Sequence, residues 1–228
     1  MNVQNTKRVV LALILILPFA IYIFLTTGKH NFVHLPIVGP QTDSTYHTIP
    51  DFAFPNQFGD TITSKDYQGS IYVANFVFTT CPTICPVMTF QMRRVQQKFE
   101  EYPNFMILSH TVNPAYDTPE VLLQYANQMQ VDLSNWNFVT GDKQQIYNIA
   151  SSYFVNVSED ELAPGGFLHS EYFVLVDKEG KVRSGIDING NPYGAYDGTN
   201  DRDMKTLVKN IKVLMAEYKQ KENQHEKQ

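Results

Sequence analysis

An almost uninterrupted apolar run, Ile71 to Phe78, ends three residues before Cys81, and Cys85 follows at what reads as a helix start. A run of strand length that is apolar on both faces marks a central, fully buried strand. Helical spacing through Met88, Met92, Val95 and Phe99 sets the next element, expected over Thr83 to Glu101. A buried strand turning directly into a helix is the nucleus of a parallel βα unit. It leaves both sulfurs at one junction. They are the only two cysteines in the chain. At that spacing two thiols can hold one metal ion or close one disulfide. A disulfide across so short a loop removes little chain entropy, so a redox or metal role outranks a structural one.

The remaining elements alternate. Phe105 to Val112 is a second buried strand. Thr118-Pro119-Glu120 opens a helix to about Gln130, with threonine as cap, proline first, then acid. Trp136 to Val139 is a short strand, and Asp142 caps a helix ending near Phe154. After the loop Ala163–Gly166, Glu171 to Val176 and Lys181 to Ile186 are strands joined by the hairpin turn Asp177–Gly180. Tyr196 to Asn200 reads as a turn. Asp201 to about Tyr218 is a closing helix with Leu207, Ile211 and Leu214 on one face. Ahead of all these, Asp51–Phe54 and Asn56–Asp60 read as two short strands around a turn. The order β-α-β-α-β-α-β-β-α predicts an α/β, thioredoxin-like fold with an N-terminal β-hairpin extension.

At the N-terminus Lys7 and Arg8 precede an apolar stretch from Val9 to Leu25, close to the ~20 residues that span a bilayer. The basic flank places the N-terminus in the cytoplasm and the rest outside. Phe24-Leu-Thr-Thr-Gly28 is a poor cleavage site, so the reading is a single uncleaved transmembrane helix, with a cleaved signal peptide as the alternative. The expected organisation is a cytoplasmic N-terminus (1–8), an anchor (9–25), a stalk (26–48), a globular domain (49–218) and a polar tail (219–228). The domain then lies on the periplasmic or extracytoplasmic side of the inner (cell) membrane. The net charge of −5, with no long basic run, excludes a nucleic-acid partner.

Helix N-terminal amides and the helix dipole favour thiolate at Cys81 and Cys85. Three residues separate the cysteines where thioredoxins have two, which leaves room for an ion. Pro82 and Pro86 stiffen the loop. A third ligand is expected from His169, in Gly165-Gly-Phe-Leu-His-Ser170 just before a late strand. In a thioredoxin-like fold that loop faces the cysteine loop. The cis-proline of thioredoxins is missing there. His110 lies inside a strand and reads as a core residue. His30 and His34 read as stalk residues, and His47 and His225 carry no signal. Two thiolates and one imidazole suit copper: sulfur favours Cu(I), and imidazole supports Cu(II). Structural zinc wants a fourth ligand, and none stands out.

Four segments together resemble the Sco/SenC family of cytochrome c oxidase assembly proteins: Phe78-Thr-Thr-Cys-Pro-Thr-Ile-Cys-Pro86, Thr111-Val-Asn-Pro-Ala-Tyr-Asp-Thr-Pro-Glu120, His169-Ser170 and Leu175-Val-Asp-Lys-Glu-Gly180. The resemblance covers about residues 50 to 217. It implies a membrane-anchored, thioredoxin-like copper chaperone that binds copper through Cys81, Cys85 and His169. Its partners would be the copper-bearing subunit of cytochrome c oxidase, whose binuclear copper centre it helps to build, or another copper chaperone. The chain departs from the family at Asn113 (commonly aspartate), Tyr116 (arginine) and Thr83 (often an acid); Asp117 is retained. These departures remove charge near the site. The alternative is an enzyme, a thiol–disulfide oxidoreductase acting through Cys81 and Cys85 on cysteines of an oxidase subunit or another exported partner, with Cys81, exposed at the strand end, as nucleophile. A peroxidase reading fails, because Ala74 and Phe78 stand where the peroxiredoxin pattern requires proline and threonine.

Overall fold

The computed structural model describes residues 12, 14–23, 34–42, 45–160, 166–169 and 171–225, and for Leu168, His169 and His225 the backbone alone. The chain forms two compact units, 1–33 and 34–228. In the first, residues 14–23 are helical (α1) with exposed apolar side chains. Among the described residues no helix is long and apolar enough to cross a membrane. Residues 9–11, 13, 24 and 25 of the expected span lie outside the described residues.

The second unit opens with two small hairpins, β1 (Gln41–Thr42) with β2 (Thr45–Tyr46) and β3 (Ala53–Pro55) with β4 (Thr61–Thr63), then a single turn of helix, α2 (Ser64–Tyr67). The β3–β4 pair corrects the sequence reading: Asn56–Asp60 is the turn, and the second strand comes after it. The Asn56 side chain accepts from the amides of Phe58 (2.9 Å) and Asp60 (3.0 Å), the local bond that makes asparagine a turn former.

Next come β5 (Ile71–Val77), α3 (Ile84–Gln96), β6 (Phe105–Thr111), α4 (Pro119–Gln128), β7 (Trp136–Val139) and α5 (Lys143–Ser152). They are followed by β8 (Val157–Glu159), β9 (Phe167–His169), β10 (Tyr172–Val176), β11 (Val182–Arg183), β12 (Tyr196–Asp197) and α6 (Asp201–His225). The main sheet runs β11-β10-β5-β6-β7, with β12 also on β10. β5, β6 and β7 are parallel, and β10 is antiparallel to β5. All seven residues of β5 are buried, as the apolar run requires. The steps β5–α3–β6 and β6–α4–β7 move the same way across the sheet, so right-handed crossovers put α3 and α4 on one face. Thr89 of α3 bonds Tyr125 of α4 there (2.8 Å), and Gln91 of α3 bonds Asp201 of α6 (2.9 Å). The other face packs Tyr153, Phe52 and Phe54 over Phe76 and His110.

Further differences follow in the rest of the unit. α3 stops at Gln96, five residues before the expected end, and tighter turns continue to Phe99. The Gln96 amide is drawn to Asp132 O and Asn135 Oδ1, and the turns bury the Phe99 ring. β11 is only two residues long, and Tyr196–Asp197, read as a turn, pairs with β10. β8 and β9 form a ribbon on either side of the loop Ala163–Gly166, where the sequence pattern sets no strand. α6 continues to His225, held past Tyr218 by the Lys178–Glu222 ion pair (2.9 Å).

From His34 on, the segment read as a stalk belongs to the folded unit. Leu35 is buried; its amide donates to Glu217 Oε1 (2.6 Å), and its carbonyl accepts from Arg183 Nη2 (2.7 Å). Arg183 also bonds Asp177 (2.8 Å) and Glu217 (2.7 Å), all three side chains being buried.

Candidate metal centre

The cysteine loop leaves the carboxyl end of β5, where ligand sites of α/β sheets form. The loop turns tightly, with the Cys81 amide donating to Phe78 O (3.2 Å). Thr83 stands at the N-cap of α3 but makes no side-chain cap. The Cys85 amide points instead at Cys81 Sγ (3.5 Å). A sulfur thus takes one of the helix's orphan donors, the service a capping oxygen usually performs.

Both cysteines are buried, Cys81 at 6% exposure and Cys85 at 0%, and no disulfide joins them. The Cys85 thiol donates to the Cys81 sulfur. That bond first, and burial second, push its pKa well above the ordinary thiol range. This corrects the expectation of thiolate at Cys85: the neighbouring sulfur and the dry surroundings outweigh the helix terminus. It also corrects the picture of Cys81 as an exposed strand-end sulfur, although Cys81 remains the more accessible of the two.

Beneath the loop lies Asp117, fully buried. Its carboxylate accepts from the Thr79 amide (3.2 Å) and from the hydroxyls of Thr79 and Thr111. Burial raises its pKa, and its negative charge is one of the influences raising that of Cys85. Asp117 therefore ties the strand end two residues before Cys81 to the end of β6. The sequence reading noted Asp117 only as a retained residue. Its signal was the Thr111-x5-Asp117 spacing, a hydroxyl and an acid on one tight turn closed by Asn113 O, which accepts from the Tyr116 and Asp117 amides. Tyr116 is exposed, and so is Thr83.

His169 closes β9, its backbone paired with Val157 of β8. Two residues earlier the Phe167 ring packs on Phe78, with centroids 5.2 Å apart. That contact brings β9 to the cysteine loop from a segment nearly ninety residues further along the chain. The His169 imidazole lies outside the described residues. Among the described residues, no three His, Cys, Asp or Glu side chains gather as a metal site. His34 lies 3.7 Å from Glu217, and His47 Nε2 lies 2.8 Å from Ser152 O. His110 is a core residue, as read. His30 and the His225 side chain lie outside the described residues.

Comparison with known proteins finds a family model described as SCO1/SenC matching residues 40–201. A relative from Bacillus subtilis (strain 168), the "SCO1 protein homolog", is 32% identical over 157 residues, 68% of this chain and 80% of its own. A similar solved structure is that of BsSco, described as a member of the Sco family of cytochrome c oxidase assembly proteins with a disulfide switch. It is 27% identical with a TM-score of 0.62, over 76% of this chain and 96% of that one. Yeast Sco1 with copper bound is 25% identical with a TM-score of 0.55, over 72% and 86% of the two chains.

Proposed function

The chain belongs to the SCO1/SenC family, and from that premise we propose that it is a copper carrier for cytochrome c oxidase assembly, loading its cargo on Cys81, Cys85 and His169. One observation supports the reading above the rest. The two sulfurs are already in mutual contact at the α3 start, through the Cys85 amide and thiol. The strand that carries His169 is packed on the same loop through Phe167. Soft sulfurs with one imidazole form a donor set that suits copper in either oxidation state.

Copper is cargo here, so the pocket must release as well as bind. A buried site tied down by Asp117 supplies a fixed sulfur geometry. Loading displaces the proton that Cys85 shares with Cys81, because a metal-bound cysteine is a thiolate. The partner is the copper-bearing oxidase subunit or another copper chaperone. The N-terminal apolar segment anchors the chain in the membrane, with the domain on the extracytoplasmic side.

Titrating the reduced protein with Cu(I) and Cu(II), read by metal content and visible absorption, tests the ligand set. One copper per chain is expected, lost in Cys81→Ser and Cys85→Ser and weakened in His169→Ala. Full retention by His169→Ala would remove the imidazole from the centre.

The pair also supports a second reading, a thiol–disulfide oxidoreductase. A thiol already hydrogen-bonded to its neighbouring sulfur is placed to resolve a mixed disulfide formed on Cys81. Rapid reduction of a partner disulfide by a chain that holds no copper would favour it.

A further inference from the structure

We propose that the exposed face of α6, with the groove beside it, docks on an anionic lipid bilayer surface; the inference rests on the reading that the chain is membrane-anchored. Lys205, Lys209, Lys212 and Lys219 follow helical spacing and form one exposed stripe. No acid occurs in α6 between Asp203 and Glu217. Six other described cations of the folded unit are matched, among them Arg94 with Asp201, Lys143 with Glu159, Lys178 with Glu222 and Lys181 with Glu179, while Lys65, Arg93, Lys98 and Arg202 stand singly at other places on the surface. Among the described residues the four stripe lysines meet no carboxylate at ion-pair distance.

This patch runs against the charge of its surroundings. The chain carries −5, and Lys7, Arg8 and Lys29 precede the folded unit while every acid lies beyond residue 42. The folded unit is thus more acidic still. A scattered set of exposed lysines would only solubilise it. Two of these lysines, Lys212 and Lys219, also line a groove of about 610 Å³ together with Tyr102, Pro103, Met215 and Ala216. Tyr102 is 49% exposed. An apolar lining beside ammonium groups fits an amphiphile: headgroup phosphates on the lysines, glycerol and upper acyl carbons in the groove. Glu222 at the same groove is taken up by Lys178, and Glu100 and Glu101 are not among the groove's lining residues.

The tether points to the same occupant. The chain enters the folded unit at α6 itself, where His34 and Leu35 meet Glu217. Residues 26–33 separate that point from the expected span, and a segment of that length reaches at most about 28 Å when fully extended. Ile71, which opens β5, borders the groove, whereas Cys81 follows the other end of that strand. Docking through α6 therefore holds the cysteine loop at the end of β5 away from the lipid.

The test reconstitutes the full chain in vesicles of phosphatidylcholine, alone or mixed with phosphatidylglycerol, and measures lysine acetylation rates residue by residue. Lys209, Lys212 and Lys219 should react several-fold more slowly with phosphatidylglycerol, by about fivefold per lysine at full contact. Lys143 should not change, and high salt should restore the rates. In Lys209→Gln/Lys212→Gln the lipid-specific slowing of Lys219 should vanish while copper binding is kept. Equal rates in the two lipids, or a slowing that survives salt, would overturn the proposal. Carbonate extraction of the same vesicles reads the anchor separately. If the chain is extracted, the anchor reading fails, and the lysine rates on added vesicles still decide the face.

Discussion

His110 is a buried histidine whose two ring nitrogens meet no hydrogen-bond partner of good geometry among the described residues, and its burial makes the stability of the folded unit depend on pH in a calculable way. Its ring stacks on Phe76 at 4.9 Å and meets the edges of Phe52, Phe54 and Tyr153. Burial pushes its pKa down to about 3. The unfolded chain binds the proton near pH 6.5, while the folded one refuses it until far lower. Stability is therefore full above pH 6.5 and falls as the pH drops toward 3, at about 1.4 kcal/mol per unit. Between pH 7.5 and 4.5 the loss should be about 2–3 kcal/mol. The perturbation is His110→Phe, which keeps an aromatic ring in the cage and removes the titration. Denaturant unfolding of both proteins across that range gives the difference directly. Asp117, with its raised pKa, acts in the opposite sense as pH falls, but it is present in both proteins and cancels. Any packing cost of the larger ring shifts the variant's curve without changing its slope. Parallel curves for the two proteins would refute the argument.

Arg183→Met should destabilise by about 3–5 kcal/mol in denaturant unfolding, because it strands the buried carboxylates of Asp177 and Glu217; a change below about 1 kcal/mol would mean those carboxylates find other partners. Gly198→Ala would place a Cβ 2.5 Å from the Phe173 ring and 3.0 Å from Glu171 O. With Phe173 fully buried, a cost of about 1–3 kcal/mol is expected, seen as a lowered thermal midpoint. Asp117→Asn keeps the size but weakens the clasp on Thr79 and Thr111, and should lower Cu(I) affinity about tenfold in a chelator competition, with no change in stoichiometry.

The strands and helices that carry the site were legible because each rests on local chemistry. Ile71–Val77 is apolar on both faces, Thr118 and Pro119 open α4, and Asp142 opens α5 with its side chain on the Gln145 amide (3.0 Å). What escaped the sequence depends on residues far apart. Leu35 is bound to Arg183 and Glu217, more than 140 positions away, so a proline- and glycine-containing stretch that reads as a stalk becomes packed structure. The β8–β9 ribbon has polar residues at Ser158 and Glu159 and no visible period; it is placed by Phe167 finding Phe78. At the centre itself, the cysteine pair was plain from spacing alone. The raised pKa of Cys85 was not, because helix-terminus reasoning omits the second sulfur and the burial of the thiol.

The central claim is that two sulfurs from one loop and an imidazole from β9 share one copper. X-ray absorption at the copper edge, on the loaded wild type and on His169→Ala, tests it most directly. The account predicts two sulfur scatterers and one imidazole in the wild type, with the imidazole signature gone and both sulfurs kept in the variant. Identical spectra from the two proteins, or a wild-type centre without imidazole, would contradict it.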